Sequence, residues 1–234
     1  MNQRSERSVS VLEGYAQWAE SYDAADNPAR TMALRALGDG RHDPVGFSVV
    51  ELGCGTGDNI KTLCSLGMTQ YLGVDASGEM LAEARKLAAN MPSHLRNVEV
   101  ELAEHDVTQP LPLSREFDVA LISLVLEHYE NVRPVLEQAT RLLHRDGQMW
   151  ILEIHPWFHE RTGGAHLETA AETLRLPSYA HTAEEILAPL VELGLEVERV
   201  SEWYPTKINA QSCRKLERYL GNPVLLDVRA RRAS

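Results

Sequence analysis

Cysteine is scarce in this chain, and aromatic residues and long apolar runs are scarce with it. Three cysteines in 234 residues, an odd number with no paired spacing, exclude a disulfide framework and point to a reducing compartment, the cytoplasm. The longest apolar stretch, Val119 to Leu126, is interrupted by Ser123. A membrane-spanning helix needs about 20 apolar residues, so none is expected and no membrane partner with it. Residues Met1 to Arg7 carry charge with no apolar segment behind it, and a secretory leader is not expected there. Positive charge is in deficit: 23 Lys and Arg against 34 Asp and Glu give a formal charge of −11. Such a surface repels phosphate backbones, so nucleic acid is not the expected substrate. The one basic cluster, Arg229, Arg231 and Arg232, stands at the C-terminus and is expected to be a solvated tail. What remains, 44% hydrophobic and 24% charged residues, is the make-up of an ordinary globular chain long enough to bury a sizeable core.

From Phe47 onward, strand-like apolar runs alternate with runs of helical period. That is the pattern of a mainly parallel sheet with helices on both faces. The expected strands are Phe47–Leu52, Tyr71–Asp75, Val98–Leu102, Phe117–Ser123, Met149–Ile154, Leu195–Val200 and Pro223–Val228. Ser77 caps the helix after the second strand, with Glu79 in its first turn. A helix carrying Val132, Val135, Leu136, Ala139, Leu142 and Leu143 on one side is expected to end at Gly147. Thr182 and Glu185 form a capping box for a later helix that Gly194 closes. Two segments stand outside the alternation. The stretch from Ser8 to Leu37 reads as helical and carries Tyr15, Trp18 and Tyr22. The stretch from His155 to His181 is rich in turn formers and falls where functional lids occur.

The sharpest local signal is Glu51-Leu52-Gly53-Cys54-Gly55-Thr56-Gly57-Asp58. Glycines between a strand and a helix let the backbone turn sharply and a ligand approach closely. Alone, such a turn is as compatible with a plain tight connection as with nucleotide binding. Asp75 ends the next strand, about 20 residues on, where an acid can accept from both ribose hydroxyls. The spacing is G-x-G-x-G, and Glu51 and Asp58 flank it. Two carboxylates there oppose a pyrophosphate at the helix N-terminus and favour a ligand with an ammonium and a sulfonium.

Taken in order, these motifs resemble those of the class I S-adenosylmethionine-dependent methyltransferases. Glu51 to Gly57 match the family's first motif and Val74 to Leu81 its second. His105-Asp106-Val107 match the adenine-contacting motif, and Phe117-Asp118-Val119 through Leu126-Glu127-His128 the fourth. The resemblance implies a doubly wound three-layer α/β sandwich, with a seven-stranded, mostly parallel sheet whose last strand is antiparallel. It implies a single domain over residues 1–234: a helical lid at 1–40, the cofactor-binding core at 41–154, a substrate-lid insertion at 155–181, and a closing helix and strands at 182–234. It also implies S-adenosyl-L-methionine as cofactor. Gly53, Gly55 and Gly57 then shape the methionine pocket, with Glu51 near the amino group and Asp75 on the ribose. Asp106 and the Val107 backbone meet the adenine amino group, and the Ser123 backbone meets the methionine part. Met80 either packs on the adenine or belongs to the core, and Asp106 has the alternative role of a turn former. Cys54 and Ala76, within the first two motifs, count among the cofactor-contacting residues. Cys54 has no histidine placed to make it a nucleophile. Tyr15 and Tyr22 resemble a segment that lids the cofactor, where aromatic faces attract a sulfonium; Trp18 is assigned to packing.

The sulfonium already activates the methyl group, so alignment of an acceptor is the main requirement. A base assists a hydroxyl or an unactivated carbon, and histidine suits neutral pH. His128 follows the fourth strand and His155 the fifth, both at the ligand-binding edge. His128 has the alternative of helix-start packing, and His155 those of substrate anchor or turn residue; Tyr204 is a weaker third candidate. His155, His159, Glu160 and His166 invite a metal reading. Gly163 and Gly164 break the helix such a pair needs, and no metal is expected. The Asn/Asp-Pro-Pro-aromatic segment of DNA amino-methyltransferases is replaced here by Ser123-Leu124-Val125-Leu126. A small-molecule methyl acceptor in specialised metabolism is the expected substrate, at an O, N or C atom. Trp157, Phe158 and Trp203 are candidates for its pocket or for core burial. A nicotinamide-dependent oxidoreductase and a non-catalytic S-adenosylmethionine-binding module are the alternatives.

Overall fold

The computed structural model describes residues 5–39, 46–95, 98–168 and 172–233. In chain order, β1 (Ser5–Ser8), α1 (Val11–Tyr22) and α2 (Pro28–Leu37) precede the strand β2 (Ser48–Leu52). There follow α3 (Ile60–Ser65), β3 (Gln70–Asp75), α4 (Gly78–Ala89), β4 (Glu99–Glu104), β5 (Phe117–Ser123), α5 (Arg133–Leu142) and β6 (Leu143–Ile154). The insertion holds α6 (Pro156–Thr162), β7 (His166–Glu168) and β8 (Glu172–Arg175). The chain closes with α7 (Ala183–Glu192), β9 (Leu195–Trp203), α8 (Asn209–Ser212) and β10 (Leu225–Arg232).

The main sheet has seven strands in the order β4-β3-β2-β5-β6-β10-β9. β10 runs antiparallel to both of its neighbours, and the pairs among β2 to β6 are parallel. From β2 the chain winds outward through β3 and β4, then returns to place β5 and β6 on the other side. The winding therefore reverses between β2 and β5, and a crevice opens at their carboxyl ends. Alternation along the strands sends successive side chains to opposite faces. Val50 and Leu52 pack with α5 and α7, whereas Val49 and Tyr71 pack with α2 and α3. The caps foreseen at Ser77 and Thr182 are present: the Ser77 hydroxyl accepts from the Met80 N–H, and Thr182 and Glu185 form a reciprocal box.

Four features differ from the sequence expectation. The helix α5 ends at Leu142, before Gly147. Leu143 pairs with Phe117 and Gln148 with Val119, so residues 144–147 loop out of the ladder. Asp146 turns that loop at φ 64°. A Cβ on Gly147 would lie 2.9 Å from the His144 carbonyl oxygen, so the glycine is required by a turn inside β6, not by a helix end. The basic cluster is not a tail: β10 continues to Arg232 between β6 and β9. Arg229 is buried there against the Trp150 ring and paired at 2.6 Å with Asp227, which is 0% exposed. The N-terminal segment is two helices, broken at 23–27 because Asn27 caps α2 and Pro28 starts it. Finally, Ser5–Ser8 is a strand, parallel to β8 in a small sheet ordered β1-β8-β7. That sheet ties the N-terminus to the insertion.

Candidate active site

The crevice between β2 and β5 holds a cavity of about 120 Å³. Its floor is the glycine turn after β2. Gly53 and Gly55 adopt φ of 77° and 51°, a left-handed conformation that costs an L side chain about 1–2 kcal/mol. A Cβ on Gly53 would sit 2.4 Å from Val125 Cγ2, which closes the turn onto the loop after β5. Gly57 serves packing: its Cβ would meet Ile60 at 2.9 Å and Ala84 at 3.3 Å. The Gly55 N–H donates to Asp75 Oδ2 at 2.8 Å, and the Ser77 N–H to Oδ1 at 2.9 Å. The carboxylate at the end of β3 is thereby held in the crevice, each oxygen keeping a lone pair for a further donor. Burial raises the Asp75 carboxyl above its ordinary value.

Glu51 is 1% exposed yet lines the cavity. Asn59 Nδ2 donates to its Oε1 at 2.7 Å and the Tyr71 hydroxyl to its Oε2 at 2.6 Å. Burial outweighs these two donors and pushes its carboxyl up to about 7. Asp58, by contrast, is neutralised by Arg30 at 2.6 Å, so the turn presents one flanking carboxylate to a ligand where two were expected. The cause is α2, which carries Arg30 across the crevice. Glu51 and Asp75 leave the cavity acidic, fitted to a cationic nucleoside and hostile to a pyrophosphate.

The roof comes from α1, which lies against α4. Tyr15 and Tyr22 both line the cavity, while Trp18 stacks on Tyr15 with centroids 6.0 Å apart. The Tyr15 hydroxyl lies 2.8 Å from His128 Nε2, and His128 Nδ1 lies 2.9 Å from the Pro177 carbonyl oxygen. A carbonyl can only accept, so Nδ1 carries the proton, and the neutral ring's Nε2 accepts from Tyr15. Leu124, which also lines the cavity, is held at φ 58° immediately after β5. Strain of this sort concentrates at ligand sites.

A second cavity of about 570 Å³ adjoins the first. The two share Tyr15, Tyr22 and Leu124. Glu127 lines the second, and accepts from Ser178 Oγ at 2.6 Å. Because that hydroxyl proton goes to the carboxylate, His159 Nε2 donates to Ser178 Oγ, also at 2.6 Å. Burial and the neighbouring Glu127 charge raise the Glu153 carboxyl, which accepts from the Val125, Leu126 and Ile154 N–H groups.

The expected residues are thus distributed unevenly. Tyr15, Tyr22, Glu51, Gly53, Cys54, Gly55, Asp75, Ala76, Met80, Val107, Ser123 and His128 line the first cavity. Gly57, Asp106 and His155 line neither of the two cavities. Asp106 Oδ1 accepts from the Thr108 N–H and hydroxyl, the turn-forming role held open for it. His155 caps α6 by accepting from the Trp157 N–H, and its Nε2 lies 3.2 Å from Glu202. Of the aromatic candidates for an acceptor pocket, Phe158 lines the second cavity. Trp203 instead donates to the buried Asp227, and Trp157 packs on the core. Tyr204 bonds Glu202 in an exposed position. Among the described residues no group of three or more His, Cys, Asp or Glu is arranged to hold a metal ion. Sequence reasoning missed Arg30, Asn59 and Ser178, which no motif announces because each reaches the site through packing; His159 was weighed only as a metal ligand, and Leu124 only as part of the segment after the fourth strand.

A winding reversal with an acid-lined, glycine-floored crevice defines an α/β enzyme domain that binds a nucleoside cofactor. Residues 50–151 match a family described as a methyltransferase domain. An uncharacterized methyltransferase of Emericella nidulans is 26% identical over 220 residues, covering 81% of this chain and 77% of its own. An S-adenosylmethionine-dependent methyltransferase from Mesorhizobium loti aligns with a TM-score of 0.65 at 24% identity, over 88% of this chain and 99% of that one. The DhpI–SAH complex aligns with a TM-score of 0.66 at 22% identity, over 95% of each chain. The chain therefore carries a methyltransferase domain on the class I S-adenosylmethionine-dependent methyltransferase fold, with S-adenosylmethionine as its cofactor.

Proposed function

We propose that the chain transfers the methyl group of S-adenosylmethionine to a small organic acceptor seated in the second cavity. The observation that carries this reading is the shared wall: Tyr15, Tyr22 and Leu124 line both cavities, so a molecule in one faces a molecule in the other. In this reading Asp75 holds the ribose hydroxyls, Glu51 receives the ammonium, and Met80 and Val107 enclose the adenine. Once bound, the cofactor supplies a methyl group already activated by its sulfonium, so the protein contributes mainly alignment and exclusion of water. Tyr15 and Tyr22 close the roof over the reacting centre with their ring faces and hydroxyls.

Proton removal from the acceptor falls to the Tyr15–His128 pair. An acceptor hydroxyl or ammonium at the neck passes its proton to the Tyr15 oxygen as Tyr15 gives its own to His128 Nε2. Pro177, bonded to Nδ1, fixes the ring in the tautomer that can take it. Tyr15→Phe breaks that path and is expected to lower kcat by about 10²-fold while cofactor affinity changes little.

The free thiols of Cys54, Cys64 and Cys213 accord with a cytoplasmic setting. The test is to incubate the protein with methyl-labelled S-adenosylmethionine and a fractionated cell extract. Label in the low-mass fraction is expected. Label confined to protein or nucleic acid would overturn the reading.

A further inference from the structure

Three cations line the second cavity: Arg161 on α6, and Lys215 and Arg218 on the 3₁₀ turn Arg214–Tyr219. They stand out in a chain of net charge −11. Many arginines elsewhere are committed to carboxylates, as Arg7 is to Glu13, Arg133 to Glu192 and Arg231 to Glu198, whereas these three converge unpaired on one cavity. The side chains of Arg161, Lys215 and Arg218 have no ion pair or hydrogen bond among the described residues. Three carboxylates share this wall and keep their charge: Glu127, which accepts from Ser178, Asp26, which lies against the Cys213 thiol, and Glu168. Arg161, Lys215 and Arg218 pair with none of them, so the three cations remain open to an anion from outside.

The apolar part of the wall is equally specific. Phe158 and Tyr219 meet edge to face with centroids 4.7 Å apart, which pins α6 to the 3₁₀ turn. Arg161 lies one helical turn beyond Phe158, and Arg218 precedes Tyr219. The aromatic contact thus brings both cation-bearing segments to one rim. None of the three cations lines the cofactor cavity.

We propose that the methyl acceptor carries an anionic group, a carboxylate or a phosphate, which Arg161, Lys215 and Arg218 hold at the rim, with its apolar body laid against Phe158 and Tyr219. This rests on the reading of the second cavity as the acceptor site. The methylated atom is a different one, at the Tyr15–Tyr22–Leu124 neck, so the product keeps its negative charge. Guanidinium forks suit both oxyanions. Because the cations are solvent-accessible, the attraction is screened by salt.

The experiment titrates benzoate, phenyl phosphate and the neutral benzamide into protein saturated with S-adenosylhomocysteine, followed by ligand-observed NMR. An anion is expected to bind about tenfold more tightly than benzamide, and its binding to weaken with added salt. Benzoate without phenyl phosphate identifies a carboxylate site, and the reverse a phosphate site. The double variant Arg161→Gln, Arg218→Gln is expected to lose anion affinity about tenfold or more and to keep wild-type affinity for S-adenosylhomocysteine, which shows that it is folded. Benzamide binding as tightly as both anions would overturn the proposal, as would anion binding indifferent to the double variant. Labelled neutral metabolites without anion binding would sink this inference alone. Anion binding without any low-mass methyl product would sink the acceptor reading and leave the anion site standing.

Discussion

Replacing Glu51 by Gln is expected to move stability and cofactor affinity in opposite directions. Glu51 lies behind the glycine turn, 1% exposed, with its carboxyl raised from 4.5 to about 7. At about 1.36 kcal/mol per pKa unit, keeping this buried group ionised costs about 3 kcal/mol relative to the unfolded chain. Between pH 4.5 and 7 the folded protein holds a proton there that the unfolded chain has released. Stability contributed by this group is therefore full below pH 4.5, falls as pH rises from there through 7, and then changes no further. Glutamine cannot ionise and escapes that loss. Tyr71 and Asn59 can both adapt to it, the hydroxyl by accepting and the amide by turning over. In calorimetric melts the apo variant should match wild type near pH 4 and exceed it by roughly 6–12 °C at pH 8. At pH 8 the same variant lacks the charge that we propose receives the ammonium, and its affinity for S-adenosylhomocysteine should fall about tenfold or more. A variant that melts lower than wild type at pH 8, or binds as tightly, would refute the assignment of Glu51 as a buried anion kept for the ligand.

Three further outcomes follow from the geometry. Asp75→Ala removes the carboxylate that holds Gly55 and that we propose receives the ribose, and should weaken S-adenosylhomocysteine binding about 100-fold in calorimetry. Gly53→Ala forces a Cβ to 2.4 Å from Val125 at φ 77°; denaturant unfolding should show a loss of about 2–4 kcal/mol. His155→Ala deletes the α6 cap and should cost about 1 kcal/mol. His155→Asn should recover that loss with turnover retained, whereas collapse of turnover in both variants would make His155 a participant in the chemistry.

The sheet was readable because its strands are apolar runs with sharp punctuation. Phe117–Ser123 is predicted to the residue, and the others shift by a few positions at their ends. The glycine turn and Asp75 were equally plain, since backbone constraints demand particular residue types there. The misreadings have physical reasons. Arg229 resembles tail composition until Asp227, two residues away on the same strand face, neutralises it. Gly147 resembles a helix stop because a looped-out turn and a helix end both select glycine. Ser-Glu-Arg-Ser at 5–8 has no apolar signal, and becomes a strand only because β8 offers it an edge. His155 and His128 look alike in sequence; the first is spent on a cap, and the second meets Tyr15 only because α1 folds over the crevice. Arg30 and Ser178 reach the site from far along the chain, a proximity that spacing does not encode.

The most direct measurement is a crystal structure with S-adenosylhomocysteine. The account predicts ribose hydroxyls on Asp75, the amino group on Glu51, and the sulfur facing Tyr15 and the second cavity. A glycine turn left empty by this nucleoside but filled by a nicotinamide dinucleotide would contradict it.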